Sequence, residues 1–471
     1  MERPAPRFRR PSLDDVWTAL AVTLPVIASL ATRMRMVDLA YQLRAGQGVL
    51  DGGGIPRVDA FTFTVFGQRW LDQQWGAQTL LALVHHGGFA ADAAFRAIVI
   101  GAVFGLILLA CRARGASPRG AALLTLAGFA IGLDSLALRP QLLGALLFAG
   151  ALWLLAVRGR HPVWTWALPA LAVVWANVHG SFVLVPVLPT LAWLEDRIAG
   201  RPRTNTVLVV AAASALATFA NPWGPGVWTY ASDVATDPAI RRLVTEWAPT
   251  TPTDWGGVAF WASAVGAGAW VAWRARRGGR EVWSLVPWLV TFAVLAVPAA
   301  RGVLWWALAA PVALAPLAAG ERSTRSDRRP NVVILAAVGA LAVALLPWWR
   351  DDASLLRDAP TGLSDAVRSG FPAGSRLVTP QRWASWFELS APPMPVMVDS
   401  RIELFSDAVW DDFLAIQRGD DGTLDLLATY GVEIVVVDRT QGELRSTLEA
   451  AGWRVVAEDP EGAVLGAPAD R

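Results

Sequence analysis

Long apolar segments recur along this chain, and clusters of arginine occupy every second junction between them. About eleven segments approach the roughly 20 residues that an α-helix needs to cross about 30 Å of hydrocarbon. They lie at 15–32, 94–111, 120–137, 141–157, 163–178, 181–195, 206–220, 257–273, 282–300, 302–319 and 331–348. The pattern predicts a mainly α-helical membrane bundle with about eleven spans.

The arginine clusters all fall on one side of the predicted bundle if successive segments are successive crossings. They are Arg112, Arg114 and Arg119; Arg158 and Arg160; Arg197, Arg201 and Arg203; Arg274, Arg276, Arg277 and Arg280; and Arg322, Arg325, Arg328 and Arg329, and the N-terminus adds Arg3, Arg7, Arg9 and Arg10. Because cytoplasmic loops are enriched in arginine and lysine, these junctions and the N-terminus are placed in the cytoplasm. No small-residue cleavage site follows the first segment, which predicts an uncleaved first helix.

Composition agrees with a multi-pass membrane protein. Hydrophobic residues make up 54% of the chain, more than one soluble core requires, and only 17% is charged. The formal charge of +2 comes with basic residues spread by topology rather than gathered in a stripe, so no nucleic-acid partner is expected. The single cysteine, Cys111, cannot form an internal disulfide and is expected in the core.

The same sidedness puts three long segments outside the cytoplasm: the first loop at 34–93, a second loop at 221–256, and the tail after Arg350. The apolar stretch at 76–88 is too short to cross and is expected to be re-entrant or interfacial. The chain thus divides into a membrane domain at 1–349 and an extracytoplasmic domain at 350–471, in the plasma membrane. Function is expected on the outer face.

The tail has a different texture from the membrane part. Short β-branched runs at 376–379, 395–399, 433–438 and 454–457 alternate with helical stretches at 404–417, 421–430 and 441–451. This alternation predicts a small α/β domain with a largely parallel sheet. Asp399 and Asp438 follow two of the runs, where such sheets place ligands; capping and turn formation are the alternative roles.

The first outer loop carries the leading candidate residue. Residues 38–50 predict a short amphipathic helix just beyond the first span, beginning at Asp38 and including Arg44. An acid driven to the bilayer centre would cost about 2.5–3.5 kcal/mol, so an acid at the lip of a span points to function. Asp59 and Asp72 in the same loop are expected to serve as turn and cap residues.

Strings of residues along most of the chain resemble a family of bacterial multi-pass proteins related to type C glycosyltransferases. The strings are Asp38 with 43–46, 55–62, Trp70 and Trp75, 138–141, 175–180, 221–224, Glu246 with Trp247, and 398–405. The resemblance implies transfer of a sugar from a polyprenyl-phosphate carrier to an envelope acceptor on the outer face. It also implies that a carboxylate of the first outer loop, here Asp38, acts as base or metal ligand.

One departure from this family concerns Gln74, because relatives often have an acid at that position. An amide cannot accept the proton, so the expected second carboxylate is missing from this loop. Either a single acid suffices or the activity is lost. Gln74 and Arg44 are kept as candidate substrate contacts, and a divalent cation at Asp38 is left open.

The chemistry of sugar transfer selects further residues. A departing phosphate needs positive or hydrogen-bonding groups, and Arg139, His179 and Arg301 lie at outer ends of predicted spans. The alternatives are arginine snorkelling to lipid headgroups and, for His179, a helix-end hydrogen bond to a carbonyl. Glu246 and Trp247 in the second loop are candidate sugar contacts, although an interfacial aromatic belt explains most of the 25 tryptophans.

Other charged residues favour structural roles. Adjacent His85 and His86 point different ways on a helix, which disfavours a metal pair. Asp134 lies near the outer face and is expected to pair with Arg139, five residues on.

Two other functional classes stay open beside a glycosyltransferase: a non-catalytic envelope assembly or receptor protein, and a lipid or polysaccharide transporter. A transporter would show paired broken spans in two related halves, and no such halves are visible in the sequence. The chain has no Walker loop or dinucleotide fingerprint, which disfavours ATP-driven transport and redox catalysis.

Overall fold

A computed structural model describes residues 11–201, 205–320 and 328–468. Several arginines of the predicted cytoplasmic side, namely Arg3, Arg7, Arg9, Arg10, Arg203, Arg322 and Arg325, lie outside the described residues. The first part of the chain is almost entirely helical. Its α-helices are α1 (Leu13–Ala31), α2 (Met36–Gly48), α3 (Trp75–His85), α4 (Gly88–Ala113), α5 (Pro118–Gly132), α6 (Pro140–Ala156), α7 (Ala167–Ala176), α8 (Val187–Ala199), α9 (Thr206–Ala217), α10 (Gly226–Thr236), α11 (Pro238–Leu243), α12 (Trp255–Ala275), α13 (Arg280–Trp283), α14 (Val286–Ala296), α15 (Val303–Leu314) and α16 (Arg328–Ala344).

Within the described part of the chain, three helical segments are long and apolar enough to cross a membrane: Leu13–Ala31, Gly88–Ala113 and Ala300–Ala318. Shorter apolar helices are Pro140–Ala156, Pro162–Ala176, Thr206–Ala217 and Arg329–Ala344. The prediction of a mainly helical, apolar first part is therefore confirmed, whereas these lengths do not establish about eleven spans. The predicted span at 181–195, for example, is divided into a 3₁₀ turn at Gly180–Leu184 and α8.

The bundle is built around α15. All twelve of its residues are buried, as expected for a helix that is apolar on every side. Small residues let a neighbouring helix approach closely: a Cβ added to Gly128 of α5 would lie 2.4 Å from the carbonyl oxygen of Ala307. The short helix α3 packs on α2 in the same way, because a Cβ on Gly46 would lie 2.0 Å from the Gln78 carbonyl oxygen.

One end of the bundle is held together by the buried carboxylate of Glu195. It accepts hydrogen bonds from Arg114 at 3.0 Å, Arg201 at 3.1 Å and Trp288 at 2.9 Å, and Arg158 lies 3.5 Å away. The three arginines come from three successive predicted cytoplasmic junctions. These junctions therefore share one end of the bundle, as the alternation of arginine clusters requires.

The tail is a small α/β unit. Its helices are α17 (Asp352–Leu355), α18 (Thr361–Gly370), α19 (Gln381–Ser390), α20 (Asp407–Arg418), α21 (Thr423–Thr429) and α22 (Gly442–Ala450). Two short strands, β1 (Met34–Arg35) and β2 (Leu356–Arg357), pair in parallel and join the end of α1 to the start of the tail. The main sheet has the order β3-β4-β6-β5, with β3 (Leu377–Val378), β4 (Ile434–Asp438), β5 (Arg454–Glu458) and β6 (Gly462–Gly466).

The prediction of a largely parallel sheet is wrong. Only β3 and β4 run parallel, whereas β6 is antiparallel to both of its neighbours. The sequence prediction missed β6, which the turn at 459–461 folds back from β5 as a hairpin. The predicted run at 395–399 forms only isolated bridges, in which Val396 pairs with Leu377 and with Thr62 of the first loop.

Arg401 joins the first loop to the tail inside the protein. Its guanidinium is buried and donates hydrogen bonds to Asp399 of the tail and, at 2.6 Å, to Asp59 of the loop. The guanidinium carbon lies 4.9 Å from the ring centre of Phe61 and 4.5 Å from that of Trp70. Asp59 also accepts hydrogen bonds from the backbone and side chain of Thr62 in its own loop. The same carboxylate therefore stabilises the turn, as predicted, and pairs with Arg401.

Replacing Arg401 with Met should destabilise the protein, because Asp59 and Asp399 would be left as buried carboxylates without their cation. Loss of one partner from a buried ion pair typically costs about 3–5 kcal/mol. The measurement is the thermal unfolding midpoint of the purified protein in detergent. Arg445→Met is the matched control, since Arg445 pairs with Glu449 and Glu458 at the surface of the tail and its loss should change the midpoint little. Equal losses in both variants would contradict this account.

Candidate functional site

A cavity of about 1110 Å³ lies where the first loop, the second loop, several helix ends and the tail meet. It is lined by seven of the predicted site residues: Asp38, Gln74, Arg139, His179, Glu246, Trp247 and Arg301. These residues span more than half of the chain in sequence, and the fold brings them to one space. Arg44 does not line this cavity; its guanidinium stacks 4.4 Å from the ring centre of Phe61 and donates to the Pro392 carbonyl oxygen.

Arg139 is the central charge of the cavity. It precedes Pro140 at the start of α6, and its extended backbone directs the side chain back over the cavity. Nη1 donates to Asp38 Oδ2 at 3.0 Å, while Nη2 donates to both carboxylate oxygens of Glu246, at 2.7 and 2.8 Å. The predicted pair between Asp134 and Arg139 is therefore wrong, because carboxylates distant in sequence occupy the guanidinium.

The two carboxylates held by Arg139 come from different outer loops. Asp38 lies in the first turn of α2, where the helix dipole favours a negative charge. Glu246 lies in the 3₁₀ turn Thr245–Trp247 of the second loop. Burial raises the pKa of Glu246, but the guanidiniums of Arg139 and Arg301 outweigh burial and lower that pKa below its ordinary value.

Arg301 and His179 form a second polar pair in the cavity. Arg301 Nη2 lies 3.5 Å from His179 Nε2, and the guanidinium carbon lies 5.5 Å from the ring centre of Trp247. No carboxylate among the residues that the structure describes forms a salt bridge with Arg301. Its positive charge is therefore available to an anion in the cavity.

The orientation of His179 is set by the turn that follows it. His179 precedes the 3₁₀ turn Gly180–Leu184, and its Nδ1 accepts a hydrogen bond from the Ser181 backbone N–H at 3.1 Å. The predicted alternative was a hydrogen bond to a carbonyl; here the partner is an N–H group at the same kind of helix end. Gly144 of α6 leaves room for the ring, since a Cβ there would lie 3.2 Å from Nδ1.

Gln74 belongs to a chain of neutral groups on another wall of the cavity. Its Oε1 accepts a hydrogen bond from Gln42 Nε2 at 2.8 Å, and the same nitrogen donates to the Tyr41 hydroxyl. Gln74 thus lines the cavity with a neutral amide whose oxygen already accepts a hydrogen bond. The sequence identified this position but offered no second acid.

The structure adds a carboxyl group that sequence reasoning did not select. Glu403 of the tail lines the cavity and accepts a hydrogen bond from the Tyr230 hydroxyl at 2.9 Å. Arg33, Arg35, Arg96 and Arg357 also line the cavity. The sequence did contain a signal for Glu403. In residues 399–403, three charged side chains alternate with uncharged ones inside an otherwise apolar stretch, which is unusual for a purely structural segment.

A divalent cation does not fit the donor set of this cavity. Asp38 and Glu246 already share one guanidinium, which supplies the positive charge that a metal would bring. Across residues 11–201, 205–320 and 328–468, no group of three or more His, Cys, Asp or Glu side chains could hold a metal ion. His85 pairs with Asp92 at 2.6 Å and His86 contacts Gln47, so the two imidazoles point to different partners.

Comparison with known proteins identifies the fold. No protein-family model and no curated protein matches the chain. The archaeal oligosaccharyltransferase AglB from Archaeoglobus fulgidus, solved with an inhibitory peptide and a dolichol-phosphate, aligns with 97% of this chain and 75% of its own, at a TM-score of 0.59 and 11% identity. ArnT from Cupriavidus metallidurans bound to undecaprenyl phosphate aligns with 97% of this chain and 98% of its own, at a TM-score of 0.53 and 15% identity. The chain has the GT-C-like fold of these proteins, as the resemblance in its sequence predicted.

Asp72 immediately precedes Gln73 and Gln74, which line this cavity, and its titration should make the stability of the protein depend on pH. Burial raises its pKa to about 7, while Gln78 donates to it at 2.7 Å. Because the ordinary value is about 3.9, the folded protein holds this proton more tightly than the unfolded chain does. Stability should therefore fall as pH rises from about 4 to about 7 and then level off.

The variant Asp72→Asn should remove that fall, and the gain in stability near pH 8 should reach about 4 kcal/mol at most. The measurement is the difference in unfolding midpoint between variant and parent at about pH 4.5 and about pH 8. Asp51→Asn, at an exposed position of the same loop, is the control and should show no such difference. An equal midpoint difference at both pH values would refute the titration of Asp72.

Proposed function

We propose that this protein is an integral membrane glycosyltransferase that moves a sugar from a polyprenyl-phosphate-linked donor to an envelope acceptor on the outer face. The observation that carries the proposal is the single cavity of a GT-C-like fold that contains Asp38, Arg139, His179 and Arg301 together. The AglB and ArnT structures hold dolichol-phosphate and undecaprenyl phosphate respectively, which supports a lipid-linked phosphate as the donor class.

The phosphate of the donor is proposed to bind on the Arg301 side of the cavity. Arg301 forms no salt bridge with a described carboxylate, although Glu246 lies within electrostatic reach, and the His179 ring lies beside it. Arg139 contributes less free charge, because both of its terminal nitrogens are already bonded to carboxylates. As the bond between the sugar carbon and the phosphate oxygen breaks, the negative charge left on the phosphate is stabilised by these donors.

Asp38 is proposed as the base of the transfer. Oδ2 is held by Arg139, which fixes the carboxylate and leaves Oδ1 for the acceptor. The acceptor oxygen bonds to the sugar carbon, its proton passes to Asp38, and the lipid phosphate leaves. Glu246, Trp247 and Gln74 are proposed substrate contacts around this centre, and Arg44 is one only for a substrate that extends past Phe61.

The location proposed for the reaction follows the predicted topology. The chain would cross the plasma membrane about eleven times, with a cytoplasmic N-terminus and a membrane domain ending near residue 349. The tail at 350–471 and the cavity would then face away from the cytoplasm. The shared contacts of Arg114, Arg158 and Arg201 with Glu195 support a common end for the predicted cytoplasmic junctions.

Replacing Asp38 with Asn should reduce sugar transfer by about 10²-fold or more, because an amide cannot take the acceptor proton. Binding of undecaprenyl phosphate should persist, because Arg301 and His179 are unchanged. Transfer is measured with membranes and lipid-linked donors, and binding with the purified protein. Asp51→Asn is the matched control and should keep full transfer. Full transfer by Asp38→Asn would contradict the role of Asp38 as the base. Absence of transfer in the parent protein as well would favour the assembly or receptor alternative over an enzyme.

Sidedness can be tested with cysteines placed on a background in which buried Cys111 is replaced by Ala. A cysteine at Asp421 of the tail should react with an impermeant maleimide in intact cells. A cysteine at Arg276, in a predicted cytoplasmic junction, should react only after the membrane is opened. The reverse result would overturn both the topology and the outer-face location of the cavity.

A further inference from the structure

Glu403 is the carboxyl group that the tail contributes to the cavity. It lies in the 3₁₀ turn Ile402–Leu404, directly after the buried Arg401 that fixes this segment against the first loop. Tyr230 of α10 donates to Oε1 at 2.9 Å. The carboxyl group also receives a hydrogen bond from its own backbone N–H, no other described side chain donates to it, and the side chain is only partly buried. The carboxyl group of Glu403 is therefore accessible to a ligand in the cavity.

Glu403 differs from the other two carboxylates near the centre of the cavity. Asp38 and Glu246 are both hydrogen-bonded to the guanidinium of Arg139. The only side chain that donates to Glu403 among the described residues is the neutral hydroxyl of Tyr230, while Nε and Nη2 of neighbouring Arg401 donate to Asp399 and Asp59. No described cation forms a salt bridge with Glu403, although arginines line other walls of the cavity.

The surroundings of Glu403 make its carboxyl group hold a proton more tightly than usual. Burial raises the pKa of Glu403 above its ordinary value, while its own backbone N–H, the hydrogen bond from Tyr230 and the charge of Arg401 oppose this in part. The titratable and charged groups within electrostatic reach are Tyr41, Asp72, Tyr230, Asp399 and Arg401. Glu403, Tyr41 and the Arg301 of the proposed phosphate site all line the same cavity.

We propose that Glu403 binds the phosphate-bearing donor in its protonated form, as a hydrogen-bond donor supplied by the tail, and that its ionisation opposes donor binding. The inference rests on the proposed function, since it assumes a lipid phosphate in the cavity. A carboxylic acid O–H donates to a phosphate oxygen, whereas a carboxylate at the same place repels the phosphate. Asp38 and Glu403 thereby take opposite roles, one ionised beside a guanidinium and the other neutral.

The test is the affinity of the full-length protein in nanodiscs for undecaprenyl phosphate between about pH 5.5 and about pH 8.5. The affinity of the parent should fall about tenfold relative to that of Glu403→Gln as pH rises, because only the parent gains a negative charge. Glutamine is a neutral donor of similar shape, so the variant should bind well throughout. The second ionisation of the phosphate, near about pH 6, and the titration of Asp72 occur in both proteins and cancel in the comparison.

Two further variants separate binding from structure. Tyr230→Phe removes the hydroxyl that stabilises the carboxylate, so the loss of affinity should move to higher pH. Glu449→Gln, on the surface of the tail, should follow the parent.

Two results would overturn the inference. Identical pH dependence in the parent and Glu403→Gln would overturn it while leaving the proposed function intact. Failure of all variants to bind undecaprenyl phosphate at any pH would overturn both.

Discussion

The ion pairing of the buried Arg401 guanidinium is the interaction on which the junction between the first loop and the tail depends. Its partners come from two segments that are more than three hundred residues apart, with Asp59 in the first loop and Asp399 in the tail. Aromatic rings of the loop enclose the same guanidinium, so the charge is both paired and shielded from water. A buried arginine is tolerated only with such partners, which fixes the loop and the tail relative to each other. The cavity lies beside this junction, and Arg401 itself lines it, so the contacts that hold the loop and the tail together also position one wall of the cavity.

Arg139 organises the cavity by a similar principle at a less buried position. One guanidinium spans two carboxylates from different loops, so the mutual repulsion of Asp38 and Glu246 is relieved without a metal ion. The cost is that Arg139 has little charge left for a ligand. Arg301 differs because its nearest neighbours are an imidazole and an indole ring, and no described carboxylate forms a salt bridge with it. The two arginines that looked equivalent in sequence therefore have different chemical roles.

Much of the membrane part could be predicted because its constraints are local. Apolar length, arginine-rich junctions and helix ends are read within about twenty residues, and Asp38, Arg139, His179 and Arg301 were selected by their position at such ends. Non-local pairing defeated the same reasoning. Asp134 is five residues from Arg139, yet Glu246 takes the contact from across the fold. Strand β6 was not predicted, because its place between β4 and β5 depends on a hairpin with β5 that the hydrophobic periodicity of the sequence does not reveal. Glu403 lies in the run at 398–405 that resembles the family, but nothing near it in sequence points to a cavity.

The distribution of arginines makes the cavity compatible with the anionic donor proposed for it, although several acids line the same space. Arg401 forms salt bridges with Asp59 and Asp399, and Arg96 donates to backbone carbonyl oxygens at the end of α1. Register pairing of β1 with β2 brings Arg35 opposite Arg357, and both line the cavity near its exposed edge. The available positive charge thus runs from that strand pair at the edge to Arg301 within. Under the proposed function, a phosphate moving inward would meet cations at both ends of this path, while Asp38 and Glu246 are bonded to Arg139 and burial raises the pKa of Glu403. The protonation state of each carboxyl group, rather than the number of carboxyl groups, would then decide whether the cavity accepts an anion.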